Sequence, residues 1–237
     1  MIEEGKKRVN KPPHELETTE PQERKNVCDD VCQRMGRVSD ELEAGLRLVS
    51  SLDKSVTFFG SARFNENNIH YAQAQRLSAR LAAAGYTVVT GGGPGIMEAG
   101  NRGAKDAGGK SLGLNIELPY EQNLNPYTTD SFGFYYFFTR KVVMAFAAEA
   151  YVFFPGGFGT LDEFFEILTL VQTKKLRRLP LICVGCDYWK HLDNFLKTEL
   201  YEDHRAIDKS DTNLYTITDD EDEIFRIITR APLSKEL

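Results

Sequence analysis

From residue 55 onward the chain alternates short, continuously apolar stretches with longer ones whose apolar residues recur at helical spacing. "SVTFFG" (55–60), "YTVVTGG" (86–92), "SLGLNI" (111–116), "AYVFFPGG" (150–157) and "LPLICVG" (179–185) have the length and composition of strands buried on both faces. Helices are predicted near 67–84, 95–107, 139–149, 160–176 and 188–200. Doubly buried strands separated by helices imply a doubly wound, mostly parallel, Rossmann-like α/β sheet with helices on both faces. In such a sheet, ligands sit at the carboxyl ends of the strands.

The pattern differs at the ends of the chain. The first 35 residues are charged, contain the Pro12-Pro13 pair and show no periodicity, so a flexible arm over 1–35 and a single domain over 36–237 are predicted. A helix is expected over Val38–Leu52, with Ser39 and Asp40 available as caps. The acidic run "DDEDE" (219–223) precedes "IFRIITR", where negative charge suits the positive end of a final helix.

Composition narrows the class. At 237 residues with 41% hydrophobic residues, there is enough material for one good core. The formal net charge of -6 offers no cationic footprint for nucleic acid or an anionic membrane surface. Apolar runs such as Val142–Phe154 are shorter than a membrane span, and the polar, acidic N-terminus carries no signal region, so a cytoplasmic protein is expected. The pairs Cys28/Cys32 and Cys183/Cys186 read as reduced structural cysteines, and no metal site is expected.

Two glycine clusters carry the candidate chemistry: "GGGPGIMEAG" (91–100) and "PGGFGTLDE" (155–163). Each follows a buried strand and runs into a helix, the order needed for anion capture by backbone N–H groups at a helix start. Neither is a dinucleotide fingerprint, because Ile96 stands where the third glycine of GxGxxG belongs, and no P-loop motif occurs. Gly91, Gly92, Gly93 and Gly95 are the candidates in the first turn. In the second they are Gly156, Gly157, Phe158, Gly159 and Thr160, whose hydroxyl sits at the helix start. Two such turns on neighbouring strands could share one phosphate. Glu163 is expected in the first turn of its helix, where the dipole alone would favour an acid, but a carboxylate beside a bound anion also suits the sugar end of a nucleotide. Arg140 and Lys141 begin a helix that is otherwise apolar, an arrangement that opposes the dipole and calls for a compensating anion.

Together these elements resemble the LONELY GUY family, cytokinin-activating nucleoside 5'-monophosphate phosphoribohydrolases long labelled lysine decarboxylases. Its PGGxGTxxE motif is met by Pro155, Gly156, Gly157, Gly159, Thr160 and Glu163, its Arg-Lys pair by Arg140 and Lys141, and its triple glycine by Gly91 to Gly93. The resemblance covers roughly 55–200. It departs from the short plant-type members in its N-terminal extension and in "YYFFTRK", which lacks the usual histidine before the pair. The resemblance implies that Arg140 and Glu163 are catalytic, that the glycine turns hold the 5'-phosphate, and that Glu121 in "LPYEQ" contacts substrate.

The implied reaction splits AMP or an N6-substituted AMP into free base and ribose 5-phosphate, without a cofactor. An oxocarbenium-like ribosyl group would need a negative charge near C1' and an activated water, and Glu163 fits either task. Arg140 keeps its protons at neutral pH, so it orients substrate and stabilises charge, with Lys141 helping to fix the phosphate. The competing reading is a carrier of the same fold that holds a nucleotide or pterin cofactor without turning it over. Surplus apolar residues in "ILTLVQTKKL" (167–176), namely Ile167, Leu168, Leu170, Val171 and Leu176, predict a homodimer at least, with Glu163 near the interface.

Overall fold

The computed structural model describes residues 27–117 and 124–233, with side chains from residue 31. The chain divides into two compact units, Met1–Gly36 and Arg37–Leu237. The first helix, α1 (Val27–Ser50), starts well before the predicted residue 38. Val27, Val31 and Met35 recur at helical spacing, a signal the prediction of an arm passed over, and residues 31–37 are all exposed, so this stretch buries no face.

The larger unit holds seven strands: β1 (Ser55–Phe59), β2 (Thr87–Thr90), β3 (Ser111–Ile116), β4 (Asp130–Phe134), β5 (Ala150–Phe153), β6 (Leu181–Cys183) and β7 (Thr216–Ile217). They form one sheet in the order β4-β3-β2-β1-β5-β6-β7, and every neighbouring pair is parallel. The five strands read from sequence are all present. The two edge strands are additional: β4 is mostly exposed and begins at Asp130, while β7 has only two residues, so neither leaves a doubly apolar signature.

Five helices connect the strands, α2 (Ile69–Ala83), α3 (Ile96–Asp106), α4 (Phe137–Ala145), α5 (Phe158–Gln172) and α6 (Cys186–Phe195), and α7 (Glu221–Arg230) follows the last strand. A π-helical segment, Leu196–Asp203, continues from α6. Side chains alternate along each strand, dividing the core into two layers. Phe59, Tyr151 and Phe153 join Trp189, Phe164 and Val143 on one face. Phe58, Val152 and Phe154 join Leu77, Leu81 and Ile224 on the other. Both faces are therefore covered, as the unbroken apolar strands require. Full burial of each such large side chain contributes roughly 1.5–3 kcal/mol.

Local chemistry sets the helix ends. Asp220 accepts hydrogen bonds from the Asp222 and Glu223 amides, and Glu221, Asp222 and Glu223 fill the first turn of α7, as the acidic run predicts. Among the described residues no helix is long and apolar enough to cross a membrane.

Candidate active site

The chain leaves β1 toward β2 on one side, while β5 lies against β1 on the other. The carboxyl ends of β1 and β5 thus flank the point where the winding reverses, which is where a ligand crevice opens in this architecture. The backbone continues the pairing past the strands: the Phe154 amide donates to Phe59 O (2.8 Å) and the Ser61 amide to Pro155 O (3.0 Å). A cleft of about 920 Å³ lies above this junction, between the loop at Gly60–Phe64 and the turn at Pro155–Thr160.

α5 begins at Phe158, two residues earlier than its sequence suggests, and no acidic residue lies in its first turn. Glu163 therefore occupies the second turn, and the helix dipole gives no account of it. Its side chain is buried, 7% exposed, yet lines the cleft, and its Oε2 has no hydrogen-bond partner. Burial, aided by the charge of Glu166 and opposed by Arg140, lifts the Glu163 carboxyl to about 7. A buried carboxyl without a partner on one oxygen is costly to keep ionised, which is why its proton is held so firmly.

Arg140, in the first turn of α4, reaches the same cleft. Its Nε donates to Leu114 O at 2.7 Å, and its guanidinium lies so close to Gly91 that a Cβ there would collide with Nη2. Burial lowers the Arg140 pKa, with Glu163 acting in the opposite direction. Among the described residues no direct ion pair joins the two side chains.

Lys141 points to α5, where its Nζ lies 2.6 Å from Asp162 and 3.3 Å from Glu166. Burial works against its charge, but these acids and Glu163 outweigh it and raise its pKa. The anion called for at the start of α4 is Glu41 of α1, which is buried and accepts from the Tyr135 amide (2.9 Å) and the Thr139 hydroxyl (2.6 Å). This brace fixes the helix that carries Arg140 and Lys141.

The structure brings Gly91, Arg140, Lys141, Gly156, Gly157, Phe158, Gly159, Thr160 and Glu163 to one cleft. Gly92 and Gly93 turn away from it: the Gly92 amide donates to Thr90 Oγ1 at 2.9 Å, and Asn125 donates to the carbonyls of both glycines. Gly95 caps α3 and packs against Ser61 and Ala62. Glu121 lies outside the described residues.

Sequence reasoning missed Ser61, Arg63 and Tyr188, which also line the cleft. "GSAR" directly after a buried strand was a legible turn signal, but its nearness to the second glycine turn depends on strand order, which local pattern does not contain. Tyr188 donates to Gly156 O at 2.8 Å and so steadies that turn from α6. Cys183 is buried in β6, and Cys186 starts α6, where Asp219 accepts from its amide. Among the described residues no group of three or more His, Cys, Asp or Glu side chains is arranged to hold a metal.

A family model described as "Possible lysine decarboxylase" matches residues 97–228. The "Pyrimidine/purine nucleotide 5'-monophosphate nucleosidase" of Escherichia coli strain K12 is 28% identical over 205 residues, covering 79% of this chain and 43% of that protein. The chain thus spans less than half the length of this relative. The "Cytokinin riboside 5'-monophosphate phosphoribohydrolase" of Mycobacterium marinum is 34% identical over 122 residues, or 51% of this chain and 64% of the other. Among solved structures, the molybdenum cofactor binding protein from Rippkaea orientalis superposes with a TM-score of 0.55 at 19% identity, over 76% of this chain and 98% of that one, which shows a shared fold. With its family model matched over more than half its length and the PGGxGTxxE residues gathered around one cleft, the chain belongs to the family described as possible lysine decarboxylases, the LONELY GUY family.

Proposed function

We propose that the protein is a nucleoside 5'-monophosphate phosphoribohydrolase, acting on AMP or an N6-substituted AMP. Water adds at C1', the N-glycosidic bond breaks, and free base and ribose 5-phosphate leave. The observation that carries this reading is Glu163: a buried carboxyl at the cleft wall, with one oxygen unpartnered and its pKa lifted by burial to about 7. A group poised there is half ionised at neutral pH and suited to general-base work. In its ionised form it also offsets the positive charge that develops on the ribosyl ring.

Arg140, anchored through Nε and lining the same cleft, has further N–H groups to orient the ribose. The open second glycine turn and the start of α5, which no side chain caps, are free to take the 5'-phosphate. The first turn acts by letting Arg140 pack against Gly91. The names of the E. coli and M. marinum relatives, a nucleosidase and a phosphoribohydrolase, support the same reaction class. A pterin or nucleotide carrier would share the fold but gains nothing from a destabilising carboxyl beside its ligand. The deciding experiment is chromatography of free base released from a panel of nucleoside monophosphates. Release from AMP or a substituted AMP supports the reading, and tight binding without release from any of them would favour the carrier.

A cytoplasmic location fits this reading, since such nucleotides and reduced cysteines belong there, and an N6-substituted substrate would put the enzyme in cytokinin formation. We also propose a homodimer, on new grounds. Ile167, Val171 and Leu176 are buried within the chain's own core, with Leu168 and Leu170 packed against it, so they leave little surplus. Exposed apolar residues instead lie along α4 and the neighbouring start of α5: Phe137, Phe138, Val142, and Phe158 at 93% exposure. Such a patch suits a second copy. Sedimentation showing a monomer at micromolar concentration would overturn this.

A further inference from the structure

Three cations line the cleft: Arg63, Arg140 and Lys141. Two are committed. Lys141 is held by Asp162 and Glu166, and Arg140 is tied to Leu114 O and wedged against Gly91. Arg63 is exposed and has no carboxylate partner among the described residues. Its backbone is nonetheless fixed, because its amide donates to Ser61 Oγ (3.1 Å) and the Ser61 amide donates to Pro155 O (3.0 Å), the residue just before Gly156. The Arg63 loop and the second glycine turn are therefore joined by backbone, and their side chains open on the same cleft.

Electrostatics call for such a cation. The chain carries a net charge of -6, and Asp162 and Glu163 stand on the cleft wall. An incoming phosphate dianion meets repulsion from these acids, while helix-start amides supply only about half an elementary charge. A guanidinium adds a full charge and a planar fork that matches two phosphate oxygens. Resting on the phosphoribohydrolase reading for the identity of the ligand, we infer that Arg63 closes over the 5'-phosphate at the second glycine turn. This makes it the residue that selects phosphorylated over unphosphorylated ribosides.

The test is isothermal titration of the full chain with ribose 5-phosphate and, separately, with adenosine. Arg63→Ala should weaken ribose 5-phosphate binding roughly tenfold to a hundredfold and leave adenosine affinity within about twofold. Arg63→Lys should recover part of the loss and Arg63→Gln none. The KM for AMP should rise by the same factor as the loss in binding. Because Arg63 is exposed, melting temperatures should stay within about 1 °C of the parent. Ribose 5-phosphate affinity unchanged within twofold in Arg63→Ala, or an equal loss toward adenosine, would overturn the inference. Wild-type protein that releases no base, yet binds ribose 5-phosphate in an Arg63-dependent way, would sink the hydrolase reading and leave the role of Arg63 standing.

Discussion

The two glycine turns look alike on paper and do different work in the fold. After β2, Gly91, Gly92, Gly93 and Gly95 are all buried, the Gly92 amide is taken by Thr90, and the carbonyls of Gly92 and Gly93 are taken by Asn125. A polar network runs on from there, with Thr90 and Asn125 both bonded to Asn101, and Asn101 to Ser111. After β5, Gly157, Phe158 and Gly159 are exposed, a Cβ at Gly157 or Gly159 would meet nothing within 4 Å, and no side chain caps the helix. In the first turn glycine makes room for protein, and in the second it leaves room for a ligand. A glycine-rich turn before a helix is thus a statement about close approach, and only the surroundings say what approaches.

The largest expected effect lies just beyond the second turn. Glu163→Gln should lower turnover by roughly a thousandfold or more, while ribose 5-phosphate binding stays within about tenfold, because shape and phosphate contacts persist. Stopped assays of base release with parallel calorimetry read both, and undiminished turnover would remove Glu163 from the mechanism. Arg140→Ala should also lose activity. Arg140→Lys should not restore it, since an ammonium cannot keep the Leu114 contact through Nε and still present a fork.

How far these differences were legible follows from particular residues. The sheet could be read because β1, β2, β5 and β6 are buried at every position, so hydrophobicity alone marks them. β4 could not, because four of its five residues are at least partly exposed. At the site, Arg140, Glu163 and the second turn were legible as a motif. The capture of Lys141 by Asp162 and Glu166 was not, because it depends on how α4 meets α5. The same holds for Arg63, which joins the cleft through the β1–β5 pairing.

The first turn can be broken through stability. Gly95 has φ 72° and ψ -130°, and a Cβ there would run into Ser61 O and the Ala62 backbone. Gly95→Ala should cost about 3 kcal/mol or more, seen as a fall of roughly 6–12 °C in melting temperature. A variant that melts within 2 °C of the parent would show that the turn is less rigidly packed than it looks.

The second turn should show the opposite balance, with function set against stability. Glu163 binds its proton more tightly folded than unfolded, since burial lifts it from 4.5 to about 7. Between these values the folded state holds more protons, so its stability falls as pH rises through about 7. Above that the full penalty applies, on the order of 3 kcal/mol. Glu163→Gln should therefore melt higher than the parent at pH 8, by several degrees, and close to it at pH 5. An equal shift at both values would show that ionisation of Glu163 is not what costs stability.

The smallest effect sharpens the comparison most, because its two readouts should move in opposite directions. Gly159 is the second residue of α5, has no positive φ, and would carry a Cβ into open space. Nothing in the protein requires glycine there, and in a helix glycine is less stable than alanine by roughly 0.5–1 kcal/mol. Gly159→Ala should therefore raise the melting temperature slightly, by about 1–3 °C. If the exposed amides of this turn receive a phosphate, the added methyl stands where oxygens must approach, and ribose 5-phosphate affinity should fall several-fold. Alanine that stabilises the fold and leaves affinity untouched would mean that the phosphate sits elsewhere in the cleft. Alanine that destabilises would mean that the second turn, like the first, is glycine-rich for packing.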